Sequence, residues 1–151
     1  MIEDRIKELG LHLPAVPTPL AAYISGVRTG NLIFTSGQLP MVDGVLKYKG
    51  KVGNDVTEAD AKLAAQAAVL NCLAVVKSIV GDLELVEKIV KMTAFINSDS
   101  AFINQPEVAN GASELLVNLF DEKGKHARAA VGVNVLPRDA SVEIEMIVEV
   151  K

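Results

Sequence analysis

"RAAVGVNVLPRDASVEIEMIVEV", residues 128–150, holds two alternating patterns separated by a turn signal. In its second half Val142, Ile144, Met146, Val148 and Val150 share one face. Glu143, Glu145, Ile147 and Glu149 share the other. Such period-two alternation marks a strand that is buried on one side. In the first half Ala129, Val131, Val133 and Val135 alternate with Arg128, Ala130, Gly132 and Asn134. "PRDA", residues 137–140, supplies turn chemistry between them. The two strands therefore predict a hairpin that sets Arg128 roughly opposite Glu149. Helices are expected over the Val/Ile/Met face. The other face, with Arg128, small residues and carboxylates, is expected to meet water or another subunit.

Upstream, "EKIVKMTAFIN" (87–97) reads as another strand, with Val90, Met92, Ala94 and Ile96 on one face. Pro106 suits the first turn of a helix striped by Leu115, Leu116, Leu119 and Phe120, and Gly124 ends it. Before that, Thr57 and Asp60 form a capping pattern for a long helix. Leu63, Ala67, Leu70 and Ala74 give it one stripe, Val69, Leu73, Val76 and Val80 another, and Gly81 a stop. "AAYISGV" and "NLIFTSG" read as strands around the turn "RTGN", and "VDGV" as a second turn. "KYKGKVGND" (47–55) reads as an exposed loop. Residues 2–9 form a short helix ending at Gly10, and the proline-rich "LPAVPTP" (13–19) is an extended lead-in. The order β-β-(β)-α-β-α-β-β predicts an α+β sandwich, a mixed sheet with two helices packed on one face. The chain is expected to be one domain, 1–151, with residues 1–21 as an N-terminal extension.

Half of the 151 residues are hydrophobic, so a sizeable core is available, and only 4% are aromatic. A net charge of -4 argues against a nucleic-acid partner. The lone Cys72 fits a reducing compartment. The charged start "MIEDRIKELG" lacks a signal-peptide core, and no stretch reads as a membrane span. A cytoplasmic location without membrane contact is the expectation. His12, His126 and Cys72 are scattered without metal-ligand spacing. No phosphate-cradling "GxxxxGK" occurs, and Ser36 has no partners at triad spacing.

"AYISGVRTGNLIFTSGQLP" (22–40), "VKMTAFIN" (90–97) and "ARAAVGVNVLPRDASVEIEMIVEV" (127–150) occur in that order. In these stretches the chain resembles the RidA/YjgF family of reactive-intermediate deaminases. The resemblance implies a chorismate-mutase-like fold and a homotrimer with ligand clefts between subunits. It implies hydrolysis of enamines and imines such as 2-aminoacrylate to 2-keto acids and ammonia, without metal or organic cofactor. It makes Arg128 the binder of the substrate carboxylate, for which a planar guanidinium is suited. Glu143 corresponds to the acid/base glutamate acting through water. Tyr23 and Gly37 correspond to an aromatic wall and a pocket-lining glycine. Ser36 and Gln38 are candidates for polar lining, and Asn110 for a pocket amide.

Each of these has a plainer reading. Arg128 would be a cross-strand ion pair, Glu143 a solvated strand carboxylate, Tyr23 a core or interface ring and Asn110 a surface or capping amide. The chain also departs from the family pattern. Ala130 stands where familiar members carry Cys, which leaves the backbone carbonyl at that position but excludes thiol chemistry there. His126 stands where they carry Pro. It lies two residues before Arg128, either as an edge histidine or as a flank of the pocket able to move protons near neutral pH. Two other functions compete: a non-catalytic trimeric module that binds small carboxylates or a partner protein, and a ribonuclease or translation inhibitor, a reading attached to family names. The acidic balance and sparse aromatics speak against the latter.

Overall fold

The computed structural model describes residues 1–16 and 22–151. In chain order it contains α1 (Ile2–Glu8), β1 (Gly26–Thr29), β2 (Leu32–Thr35), β3 (Met41–Val42), β4 (Val45–Leu46), α2 (Glu58–Val80), β5 (Val86–Asn97), α3 (Gln105–Phe120), β6 (Ala127–Val133) and β7 (Val142–Val150). Five strands form one sheet in the order β1-β2-β7-β5-β6, and β3 and β4 pair separately. The proline-rich lead-in is irregular from residue 13 to 16, and the rest of it lies outside the described residues.

Local chemistry sets most of these elements. Thr57 caps α2 by accepting from the Asp60 N–H, and Gly81 stops it at φ +86°. Asp43 and Gly44, both at positive φ, make the tight turn between β3 and β4. The first strand starts later than expected, at Gly26, so Tyr23 precedes it and Arg28 belongs to it. Helix α3 ends at Phe120, and a 3-10 turn carries the chain on to Gly124.

The core lies between α2, α3 and one sheet face, lined by Ile33, Met92, Ala94, Ile96, Ile144, Met146 and Val148. Helix α2 is long and apolar enough to cross a membrane, contrary to the sequence expectation, yet most of that apolar window is buried inside the fold. Its Leu63 is exposed rather than packed. The 47–55 loop is not wholly exposed either. Val52 is fully buried, and its N–H donates to the Asn97 carbonyl at 2.7 Å. In β5 the inward residue is Ile89, not Val90, because the pairing with β7 shifts between Ile89 and Lys91.

The predicted hairpin of β6 with β7 does not form. Strand β6 runs parallel to β5, with α3 as the crossover that parallel strands require. Strand β7 lies on the other side of β5, between it and β2. The link from β6 to β7 passes over the end of β5 at buried Asn97. The Asn97 amide donates to Asp139 Oδ1 and the Ala140 carbonyl, each at 3.1 Å. Glu149 therefore opposes Leu32 and Lys88 rather than Arg128.

This placement reverses the expected faces of β6. Arg128, Ala130 and Gly132 pair with Met92, Ala94 and Ile96, so they lie on the helix-covered side. Ala129, Val131 and Val133 lie on the open side with Phe34, Phe95, Glu143, Glu145 and Ile147.

Candidate functional site

Two clusters collect the residues singled out by sequence, one on each side of the sheet. The first is at the edge formed by β6 and α3. Arg128 Nη1 donates to Asn110 Oδ1 at 2.7 Å and to Ser113 Oγ at 3.2 Å. These acceptors are three residues apart, one turn of α3, and so share a helix face. Among the described residues Arg128 is in no ion pair. With Nη1 held, the Nε–Nη2 edge keeps two parallel N–H groups, the geometry that pairs with a carboxylate. Ala130 follows on the same side, partly buried against the core.

His126 completes this cluster. Its Nδ1 is 2.7 Å from the Gly124 carbonyl and its Nε2 is 2.9 Å from Ser113 Oγ. A carbonyl only accepts, so Nδ1 carries the proton and Nε2 accepts from the serine. Burial, and then the Arg128 charge, hold the ring below the usual histidine range, against the opposing pull of the Gly124 carbonyl. His126 is thus anchored at both nitrogens.

The second cluster is on the open side, where β2 leaves β7. Phe34 faces Ile147 and Gln38 bridges Ile144, so four steps on one strand match three on the other. The extra residue is a bulge at "TSG". The Thr35 hydroxyl turns inward, accepts from the Met146 N–H at 3.0 Å and lies against Cys72 Sγ. The Ser36 hydroxyl donates to the Ile24 carbonyl at 2.7 Å, which ties down the segment holding exposed Tyr23. Ser36 is therefore an anchor for the loop, not a free lining group. Gln38 Nε2 reaches the Ser36 carbonyl at 3.4 Å. Gly37 is exposed, and any Cβ on it would collide with the Glu143 carboxylate. Burial, and then the Glu145 charge, raise Glu143 above the usual carboxylate value.

The structure joins Arg128, Asn110, His126 and Ala130 in one half, and Gly37 and Glu143, with the Ser36-anchored Tyr23 segment, in the other. It does not bring the halves together in one chain, because Arg128 and Glu143 lie on opposite sides of the sheet. Two cavities of about 460 and 360 Å³ lie away from both, along α2 and beside α1. Sequence reasoning missed Ser113 and the structural roles of Thr35 and Ser36. The i, i+3 spacing of Asn110 and Ser113 was the available signal for Ser113.

A mixed sheet in the order β1-β2-β7-β5-β6 with α2 and α3 packed on one face defines an α+β sandwich. A family model described as YjgF/chorismate mutase-like, with endoribonuclease as an attached name, matches residues 3–150, and the chain belongs to this RidA/YjgF family. It is 40% identical over 149 residues to protein TCP17 of Trypanosoma cruzi, covering 98% of this chain and 93% of that one. The crystal structure of Atu1372 from Agrobacterium tumefaciens, a protein of unknown function, superposes with a TM-score of 0.95 at 45% identity, covering 99% of this chain and 92% of that one. A 2-iminobutanoate/2-iminopropanoate deaminase of Dermatophagoides farinae is 30% identical over 138 residues, covering 91% of this chain and 93% of that one.

Proposed function

We propose that this chain hydrolyses reactive enamine and imine intermediates of the 2-aminoacrylate type to 2-keto acids and ammonia. The site is completed between subunits of a homotrimer. The observation that carries this reading is Arg128, whose Nη1 is held by neutral oxygens and which, among the described residues, forms no ion pair. An arginine so held is prepared for an external anion. The deaminase-named relative supports the reaction class.

In this reading Arg128 grips the substrate carboxylate. The enamine takes a proton on its terminal carbon and becomes the imine. Water adds to the imine carbon, and the carbinolamine expels ammonia as the carbonyl forms. One water is consumed for each keto acid and ammonia released. Glu143, on the facing subunit, takes the proton of the attacking water and returns it to the departing nitrogen. Its raised proton affinity suits both steps. Tyr23 and the backbone at Gly37 and Ala130 shape the space around the planar substrate. The site needs no metal or organic cofactor.

The test supplies 2-aminoacrylate from a serine dehydratase and follows pyruvate release. Acceleration over buffer that disappears with Arg128→Ala and Glu143→Gln is the expected result. No acceleration, with keto-acid binding intact, would replace the enzyme by a carboxylate-binding module.

A further inference from the structure

His126 and Ser113 lie behind Arg128, away from the edge offered to a ligand. The Gly124 carbonyl can only accept, which puts the proton of the imidazole on Nδ1. The bare Nε2 then accepts a hydrogen bond from the Ser113 hydroxyl. Ser113 is left with lone pairs only, and these face Arg128 Nη1. Every donor in the chain from guanidinium to Gly124 points the same way. The terminal carbonyl is itself fixed, because the turn at Gly124 packs so tightly on α3 that a Cβ there would overlap the Leu116 carbonyl.

We propose that His126 and Ser113 are positioning residues, a one-way hydrogen-bond relay that locks Arg128 Nη1 and thereby presents its Nε–Nη2 edge to an incoming carboxylate. This rests on the reading of Arg128 as the carboxylate anchor. An exposed arginine otherwise samples many rotamers, and binding would have to order it. Asn110 fixes one Nη1 proton and the relay fixes the other, so the planar fork is oriented before the ligand arrives.

The experiment measures 2-oxobutanoate affinity by calorimetry in the wild type, His126→Phe, His126→Gln, Ser113→Ala and the Ser113→Ala/His126→Phe double variant. Loss of one relay bond is expected to weaken binding about threefold to tenfold. The double variant is expected to be no worse than the poorer single one, because both break the same chain. Gln places an acceptor where Nε2 lies, so His126→Gln is expected near wild type. Nitrogen-15 spectra should show His126 protonated at Nδ1 and bare at Nε2, and the two Arg128 Nη signals resolved by slowed rotation. Additive losses, unchanged affinity in His126→Phe, or a ring protonated at Nε2 would overturn the relay. If the wild type binds no keto acid, the carboxylate reading fails by itself. The spectra then decide the relay: resolved Nη signals that merge in Ser113→Ala support it, and signals alike in both proteins overturn it.

Discussion

Gly37 occupies a position where any side chain would displace the Glu143 carboxylate. The atoms in the way are the end of a flexible side chain, so Gly37→Ala should fold and push Glu143 aside. We expect deaminase turnover to fall at least tenfold while the melting temperature drops only slightly, readable by keto-acid release and calorimetry. Glu143 itself links folding to pH. Its folded pKa is raised by burial, so its favourable contribution is full below the unfolded pKa and fades as pH rises through the folded value. Glu143→Gln removes the half-buried charge. It should melt higher than wild type at neutral pH and equal to it in acid, while losing activity, and a melting series across pH checks both. Arg128→Lys keeps the charge but loses the fork. We expect keto-acid affinity to fall about tenfold or more, because an ammonium cannot make the paired side-on contact.

At the scale of elements, the site depends on how closely α3 approaches α2. A Cβ at Gly111 would overlap the backbone carbonyl of Lys62, and Asn110 and Ser113 flank that contact. Backbone cannot yield as a side-chain tip does. Gly111→Ala should therefore cost roughly 1–3 kcal/mol in denaturant unfolding and weaken keto-acid binding by moving both acceptors of Arg128. The elements whose logic is local were legible in the sequence: the Thr57 cap, the Gly81 stop, the Asp43–Gly44 turn and the alternation of β7. The errors came from non-local pairing. Alternation in β6 is present but misleads, because Val131 and Val133 lie on the open side, where Val131 is 43% exposed, and not under the helices. Only the parallel ladder with β5 decides that Arg128 points to α3. The phase of β5 fails at a bulge that no residue type announces. The candidate residues were singled out through family motifs, but their division between two faces was not legible. It follows from β5 lying between β6 and β7. Ser113 stayed hidden because serine on a helix is ordinary until an arginine across the strand gives it work.

At the scale of the whole molecule, the open side of the sheet joins apolar and charged residues in one surface. Phe34 is 41% exposed and Val131 43%, and Glu145 lies on the same side. A monomer gains nothing by leaving such a face in water, and burial against another copy would use it. In the proposed trimer, Phe34→Glu should yield a folded monomer without turnover, visible together by sedimentation and keto-acid release. A sharper prediction uses the two halves directly. Arg128→Ala and Glu143→Gln chains should each be inactive as homotrimers. If each site takes Arg128 from one subunit and Glu143 from its neighbour, unfolding and refolding a one-to-one mixture restores some sites. A restored site needs an intact Arg128 on one chain and an intact Glu143 on the next. Random assembly makes each condition true half the time, so about one quarter of sites should recover. A site built within a single chain would recover none, because no chain in the mixture carries both groups. Pyruvate release by the refolded mixture, compared with the two variants mixed without unfolding, separates these outcomes.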